Sequence, residues 1–228
     1  MTSPSFDPIW REKYARGLAV RAPYDCVVSF VYRNLPAKQQ RSDIRILEVG
    51  CGTGNNVWYL AREGFSLSGV DASPEAISYA SERLREDKLS ADLQVGDFTS
   101  LPYPDNTFDL IFDRAALTNC GLSFARQAVA EIHRVLAPGG KFFINPYSSE
   151  HTSAKKGRLV EDNLTVDIEG GSLVGCGQIC FYNQAQLESL FPAPWRILSL
   201  EHVVTSEVWA AKEVHAEWWG RALKPGAP

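Results

Sequence analysis

The sequence predicts an α/β fold, a mostly parallel sheet with helices on both faces, and three observations carry that prediction. Arg45-Ile46-Leu47-Glu48-Val49 is a short apolar run that meets glycines at alternate positions, Gly50, Gly52 and Gly54. An amphipathic stretch follows, and a second apolar run, Leu67-Ser68-Gly69-Val70, closes on Asp71. From there to residue 145 strand-like and helix-like patterns alternate, which calls for parallel strands joined by right-handed crossovers.

Residues 6–35 precede the first strand and read as helical. Trp10, Tyr14 and Leu18 recur every fourth residue with charged residues between them, giving one aromatic face, although Gly17 weakens the helix. A second segment after Pro23 carries Val27, Val28, Val31 and Tyr32, and Leu35-Pro36 ends it. Beyond the glycine turn, Val57, Leu60 and Ala61 form a buried helix face and Gly64 stands where a C-terminal cap belongs. Ser73-Pro74-Glu75 opens the next helix with a cap residue, a first-turn proline and an acid at the positive end of the dipole. Leu93 to Phe98 reads as the third strand, Leu110 to Asp113 as the fourth and Lys141 to Asn145 as the fifth, the last after a helix that stops at Pro138-Gly139-Gly140. Pro146 to Asn183 starts polar and basic, with His151, Lys155, Lys156 and Arg158. It then alternates through Leu164, Val166 and Ile168, and Gly170-Gly171 turns it back, which predicts an inserted hairpin acting as a lid. Asn183 caps a short helix, and Trp195–Val204 and Val214–Leu223 are the last two strands.

The chain has 228 residues, enough for one large core but cramped for two. One domain is expected over 1–228: a helical cap at 6–35, a ligand-binding core at 44–145, the lid at 146–183 and a helix with a strand pair at 184–228. A net charge of −4 speaks against a nucleic-acid partner. With no apolar run of membrane-spanning length and no leader-like N-terminus, a cytoplasmic protein without membrane association is expected. Five scattered cysteines without a CxxC pair read as free thiols, with no zinc site and no metal expected. Monomer and homodimer both remain open.

Glycines in a strand-to-helix turn let the backbone approach a ligand closely, and the helix behind them begins with free N–H groups. Asp71, ending the second strand, can accept from a ribose hydroxyl pair. The GxGxG spacing, with Asn55 where a dinucleotide site would place its third glycine, disfavours a nicotinamide-dependent oxidoreductase, the main alternative. This segment resembles motif I of the class I S-adenosylmethionine-dependent methyltransferases (type 11/12-like small-molecule enzymes). The phrase Leu101-Pro102-Tyr103-Pro104-Asp105-Asn106-Thr107-Phe108-Asp109-Leu110-Ile111-Phe112 is also typical of them. The resemblance implies a Rossmann-like, seven-stranded sheet ending in an antiparallel strand pair. It implies S-adenosylmethionine as cofactor, leaving as S-adenosylhomocysteine. Glu48, Gly50, Cys51, Gly52, Thr53, Gly54, Asp71 and Ala72 would line the cofactor site, with Asp97 on the adenine amino group and Phe98 against its ring. In the family an N-terminal helix folds over the cleft, which nominates Trp10 and Tyr14 for closing it and Arg21 for the methionine carboxylate. A non-catalytic S-adenosylmethionine-binding module is a further alternative.

The acceptor is less legible. Asp113-Arg114-Ala115-Ala116-Leu117 lacks the Asn-Pro-Pro-Tyr motif of enzymes that methylate DNA bases. Asp-Arg-x-Ala-Leu is instead similar to a phrase in thiopurine-type S-methyltransferases, where the arginine lies near the acceptor. Asp113 and Arg114 are therefore expected to line the cleft beyond the strand ends. Tyr147 and His151, just past the fifth strand, are the candidates for contacting or deprotonating a small-molecule acceptor with an oxygen, nitrogen or sulfur nucleophile. The basic residues of the lid allow an anionic acceptor, although such charges are more often only solvated.

Overall fold

The computed structural model describes residues 5–226 apart from 39 and 211. Two helices come first, α1 (Ile9–Ala15) and α2 (Asp25–Arg33). The core then runs β1 (Arg45–Val49), α3 (Asn55–Arg62), β2 (Ser66–Asp71), α4 (Pro74–Glu86), β3 (Asp92–Val95), β4 (Phe108–Arg114), α5 (Leu122–Val135) and β5 (Leu136–Asn145). After it come three short strands, β6 (Arg158–Leu159), β7 (Leu164–Val166) and β8 (Ile179–Cys180), then α6 (Gln184–Glu188), β9 (Arg196–Ser206) and β10 (Val214–Leu223).

Seven strands form one sheet in the order β3-β2-β1-β4-β5-β10-β9. The first five are parallel, and β10 pairs antiparallel with both β5 and β9. The order reverses between β1 and β4, so the loops after those two strands diverge and leave a crevice at their carboxyl ends. Each sheet face carries its own apolar layer. One joins Val27, Phe30 and Val31 of α2 to Val57 and Leu60 of α3 and Ile77 and Leu84 of α4. The other joins Ala125, Ala128, Val129 and Ile132 of α5 to Leu187 and Trp218.

Local chemistry sets the boundaries. Ser73 Oγ accepts from Ala76 N at 3.3 Å, capping α4 with Pro74 in its first turn. Gly64, at φ +89°, stops α3, with Gly64 N donating to Ala61 O and Phe65 N to Leu60 O. Gly17 does the same for α1 at φ +88°, its N–H donating to Tyr14 O while Leu18 N donates to Lys13 O. The aromatic stripe predicted through Leu18 therefore ends at Tyr14, and Leu18 lies off the helix, exposed. The third strand ends at Val95, leaving Asp97 and Phe98 in the following loop. α5 stops at Val135, earlier than Pro138, because Leu136 already pairs with Phe108. The turn from Leu101 to Asp105 is held by Arg134, which donates to Tyr103 O at 2.8 Å and Leu101 O at 2.9 Å and pairs with Glu131 and Asp105. Arg134→Ala is expected to cost about 2 kcal/mol, mostly through the two carbonyls, read as a lower urea midpoint at unchanged m-value.

The segment after β5 is more than a hairpin. β6, β7 and β8 make a small antiparallel sheet over a cluster of Ile168, Leu173, Ile179 and Phe181, to which Tyr147 packs. Asp7 ties this segment to the N-terminus by accepting from Gln178 N at 2.9 Å.

Candidate functional site

At the carboxyl ends of β1, β2 and β4 lies a cavity of about 360 Å³, roofed by α1 and the segment after β5. Its floor is the glycine turn. Gly50, Gly52 and Gly54 have φ of +66°, +51° and +70°, the left-handed region where a side chain is strained. A Cβ on Gly50 would stand 2.1 Å from Ala116 Cβ, and one on Gly54 would stand 2.8 Å from Ala80 Cβ. Gly50 thus lets the β4 loop close on the turn, and Gly54 lets α3 pack against α4. Asp71 braces the turn from the side. Its Oδ2 accepts from Gly52 N at 2.8 Å and its Oδ1 from Ser73 N at 2.9 Å, while each oxygen keeps a lone pair for a ligand hydroxyl.

Glu48 is buried beneath the turn. Its Oε1 accepts from Asn56 Nδ2 at 2.7 Å, and its Oε2 has no partner. Burial pushes its pKa well up, with the nearby carboxylates of Asp113 and Asp71 adding to the effect against the Asn56 hydrogen bond. A buried carboxyl with an open oxygen on a cavity wall suits a cationic ligand group such as an ammonium.

The N-terminal segment closes the cavity from above. Tyr14 Oη sits over Gly52, Trp10 Nε1 donates to Asn119 Oδ1 at 3.2 Å, and Arg11 donates to Ala72 O at 3.2 Å. The loop behind α1 is tied to the turn, Asn55 Nδ2 donating to Ala22 O at 2.8 Å. Burial raises the Tyr14 pKa, first by desolvation and then by Asp71, so the hydroxyl is a donor at neutral pH.

Most of the residues nominated from sequence meet in this cavity: Glu48, Gly50, Cys51, Gly52, Thr53, Asp71, Ala72, Phe98, Arg114, Trp10, Tyr14 and Tyr147 all line it. Five do not. Gly54 lies behind the turn, in helix packing. Asp97 stands at the rim, where its Oδ1 accepts from Thr99 N and Oγ1 and its Oδ2 from Ser5 Oγ. Asp113, expected in the cleft, is wholly buried behind it, and its Oδ1 accepts from Ala116 N at 2.9 Å and Leu117 N at 3.0 Å. It shapes the loop that carries Arg114, with Ala115 at φ +59°, and burial pushes its pKa up to about 6. Arg21 is exposed, and its carbonyl accepts from Arg83 at 2.8 Å. Gly17 ends α1 four residues earlier, so Arg21 lies outside the helix, in a loop whose neighbours Val20 and Tyr24 line the cavity while its own side chain does not.

His151 is the fifth. It is buried behind Tyr147, with ring centroids 5.6 Å apart, and its Nδ1 accepts from Ser153 N at 3.0 Å. Burial pushes its pKa down to about 4, and His215 adds to that. The folded protein therefore binds fewer protons here than the unfolded chain between pH 4 and the ordinary 6.5. Stability present above pH 6.5 is lost as the pH falls through that window. Relative to His151→Gln, the wild type is expected to lose about 2 kcal/mol by pH 4, allowing for solvent screening, in urea titrations at matched pH.

Sequence patterning missed part of the far wall. Tyr24, Lys13, Asn119, Leu173, Cys176 and Ile179 line it, and Glu217 stands just behind. Glu217 had a visible signal, an acid inside the apolar strand Val214 to Trp219.

Residues 47–144 match a family described as a methyltransferase domain. Phosphoethanolamine N-methyltransferase 3 of Arabidopsis thaliana is 36% identical over 105 residues, 45% of this chain but 21% of that protein. The chain thus spans about a fifth of the length of that relative. A putative methyltransferase of Geobacillus sp. (strain WCH70) is 31% identical over 151 residues, 65% of this chain and 59% of that one. Among solved structures, a protein of Methanosarcina mazei described as a SAM-dependent methyltransferase superposes with a TM-score of 0.71 at 20% identity, covering 90% of this chain and 100% of that chain, a likeness of fold. Among the described residues no helix is long and apolar enough to cross a membrane.

Proposed function

We propose that this protein, whose residues 47–144 match a methyltransferase domain, is a class I S-adenosylmethionine-dependent methyltransferase that moves the methyl group of S-adenosylmethionine to a small-molecule acceptor by in-line displacement. The observation that carries the reading is the glycine turn under a roofed cavity with Asp71 and the open oxygen of Glu48 on its wall. These residues suit each part of the cofactor: Asp71 the ribose hydroxyls, Phe98 the adenine face, Glu48 and the turn's backbone the methionine tail. When bound, S-adenosylmethionine supplies a methyl group already activated on a positively charged sulfur.

The chain's own contribution is then to orient and to exclude water. Tyr14 and Trp10 cover the cofactor end. Tyr24, Arg114 and Tyr147 form the acceptor end, where Leu173 and Ile179 supply an apolar wall. Burial raises the Tyr147 pKa against the opposing effect of Arg114, so the phenol stays protonated at neutral pH and is available to contact the acceptor as a donor. Acid–base catalysis by His151 is not part of this proposal, because His151 lies outside the cavity lining and its Nε2 meets His215. The phosphorylated substrate named for the Arabidopsis relative makes an anionic acceptor reasonable, and the cationic Arg114 in the acceptor end supports it.

The test is incubation with methyl-labelled S-adenosylmethionine and a metabolite extract, with mass spectrometry of the labelled product. Label transfer together with a thermal shift by S-adenosylhomocysteine and none by NAD is expected. Stabilisation by NAD alone would sink the proposal.

A further inference from the structure

The acceptor end of the cavity holds a guanidinium that its neighbours only half satisfy. Arg114 ends β4 with its side chain 14% exposed, one terminal nitrogen 3.5 Å from Glu217 Oε2 and no acceptor for its buried Nε. Its Cζ lies 4.4 Å from the Tyr24 ring centroid, so stacking fixes the guanidinium plane. Glu217 meets the guanidinium at one long contact only, because its oxygens are also held elsewhere. Its Oε1 accepts from Trp219 Nε1 at 2.6 Å, and its Oε2 is shared between His215 Nε2 at 3.2 Å and Arg114. Lys13 lines the same cavity with Cys176 Sγ at 3.6 Å and the Trp10 ring centroid at 4.8 Å, and no ion pair with a carboxylate among the described residues.

Behind Glu217 the hydrogen-bond directions are fixed. Ser153 N donates to His151 Nδ1, so the neutral His151 carries its proton on Nε2. That N–H faces His215 Nδ1 at 3.3 Å and Ser172 Oγ at 3.3 Å, which leaves the His215 proton on Nε2, directed at Glu217. A chain of donors therefore runs from the segment after β5 to the carboxylate that holds Arg114.

We propose that Arg114 seats an anionic oxygen group, a carboxylate or a phosphate, carried by the methyl acceptor, and that Glu217, held through His215 and His151, is the positioning residue that aims it. This rests on the methyl-transfer reading of the cavity. A buried, underpaired guanidinium gains most from a planar or tetrahedral oxyanion that meets Nε and a terminal nitrogen together. An acceptor carrying an ammonium and no anionic group would face both Arg114 and Lys13 and be repelled. Leu173, Ile179 and Tyr147 leave room for an apolar or aromatic body beside the anion.

The same chemistry could serve the cofactor's own carboxylate, and the experiment separates the two. Calorimetric titrations of the full chain, with and without S-adenosylhomocysteine, use benzoate, phenyl phosphate, benzyl alcohol and benzylamine as probes. At least one anion is expected to bind about tenfold tighter than benzyl alcohol, and benzylamine not at all. Arg114→Met removes that preference, and Arg114→Lys keeps part of it as a point charge. Glu217→Gln lowers the ratio of anion to alcohol binding by about threefold while S-adenosylhomocysteine binding changes less, a split that general loosening would not produce. Equal binding of alcohol and anions, failure of both anions to bind, or a preference that survives Arg114→Met overturns the proposal. So does an Arg114→Met protein that loses S-adenosylhomocysteine but keeps 5′-methylthioadenosine, which lacks the carboxylate. Failure of S-adenosylhomocysteine to bind the wild type would strike the methyltransferase reading instead, and the anion ratio without it would still be measured.

Discussion

Gly50→Ala is expected to destabilise the protein by about 2–5 kcal/mol and to abolish measurable binding of S-adenosylhomocysteine. Two effects add. A Cβ at φ +66° costs about 1–2 kcal/mol in backbone strain. Overlap with Ala116 Cβ, 2.1 Å away, adds about 1–3 kcal/mol, because either the glycine turn or the β4 loop must move. The second effect is the one that reaches the site, since both the glycine turn and Ala116 in the loop after Arg114 line the cavity. Gly64→Ala is the control: its φ is also positive, at +89°, but nothing lies within 4 Å of the added Cβ. It should cost about 1 kcal/mol and leave ligand affinity unchanged, so equal losses in the two variants would show that strain alone matters.

Asp71→Ala should weaken S-adenosylhomocysteine binding by roughly 30- to 100-fold, about 2–3 kcal/mol, in calorimetry at neutral pH. The carboxylate holds Gly52 N and Ser73 N, and in the proposed site it would also offer its remaining lone pairs to ribose. Asp71→Asn separates the roles, because an amide has one oxygen and would turn its NH₂ towards one of the two backbone donors. An intermediate loss is expected. Affinity equal to wild type in Asp71→Ala would remove Asp71 from the cofactor site altogether.

The glycine turn and its flanking elements were legible because their requirements are local. A strand, three left-handed glycines and a helix occupy adjacent positions, so their spacing can be read without knowing where the rest of the chain goes. The capping of α4 by Ser73 was legible for the same reason. Asp113 and His151 were misplaced by a rule that is true only on average. Residues at and just beyond a strand's carboxyl end do gather at the cleft, but successive side chains alternate in direction. Arg114 therefore faces the cavity, while Asp113 points into the core behind it. His151 is set back further by the turn that seats it against Ser153 and His215.

By itself, then, the sequence determined the alternation of strands and helices, the parallel core, the glycine turn and the acid at the end of β2. Each depends on periodicity or backbone conformation within a few residues. Only the tertiary structure decided that the Arg21 carbonyl meets Arg83, that Ser5 meets Asp97, and that Glu217 stands behind Arg114. Those contacts join residues 62, 92 and about a hundred positions apart. Chain closure over such distances is set by how whole elements pack, in particular by β10 entering antiparallel beside β5, and no local pattern records it.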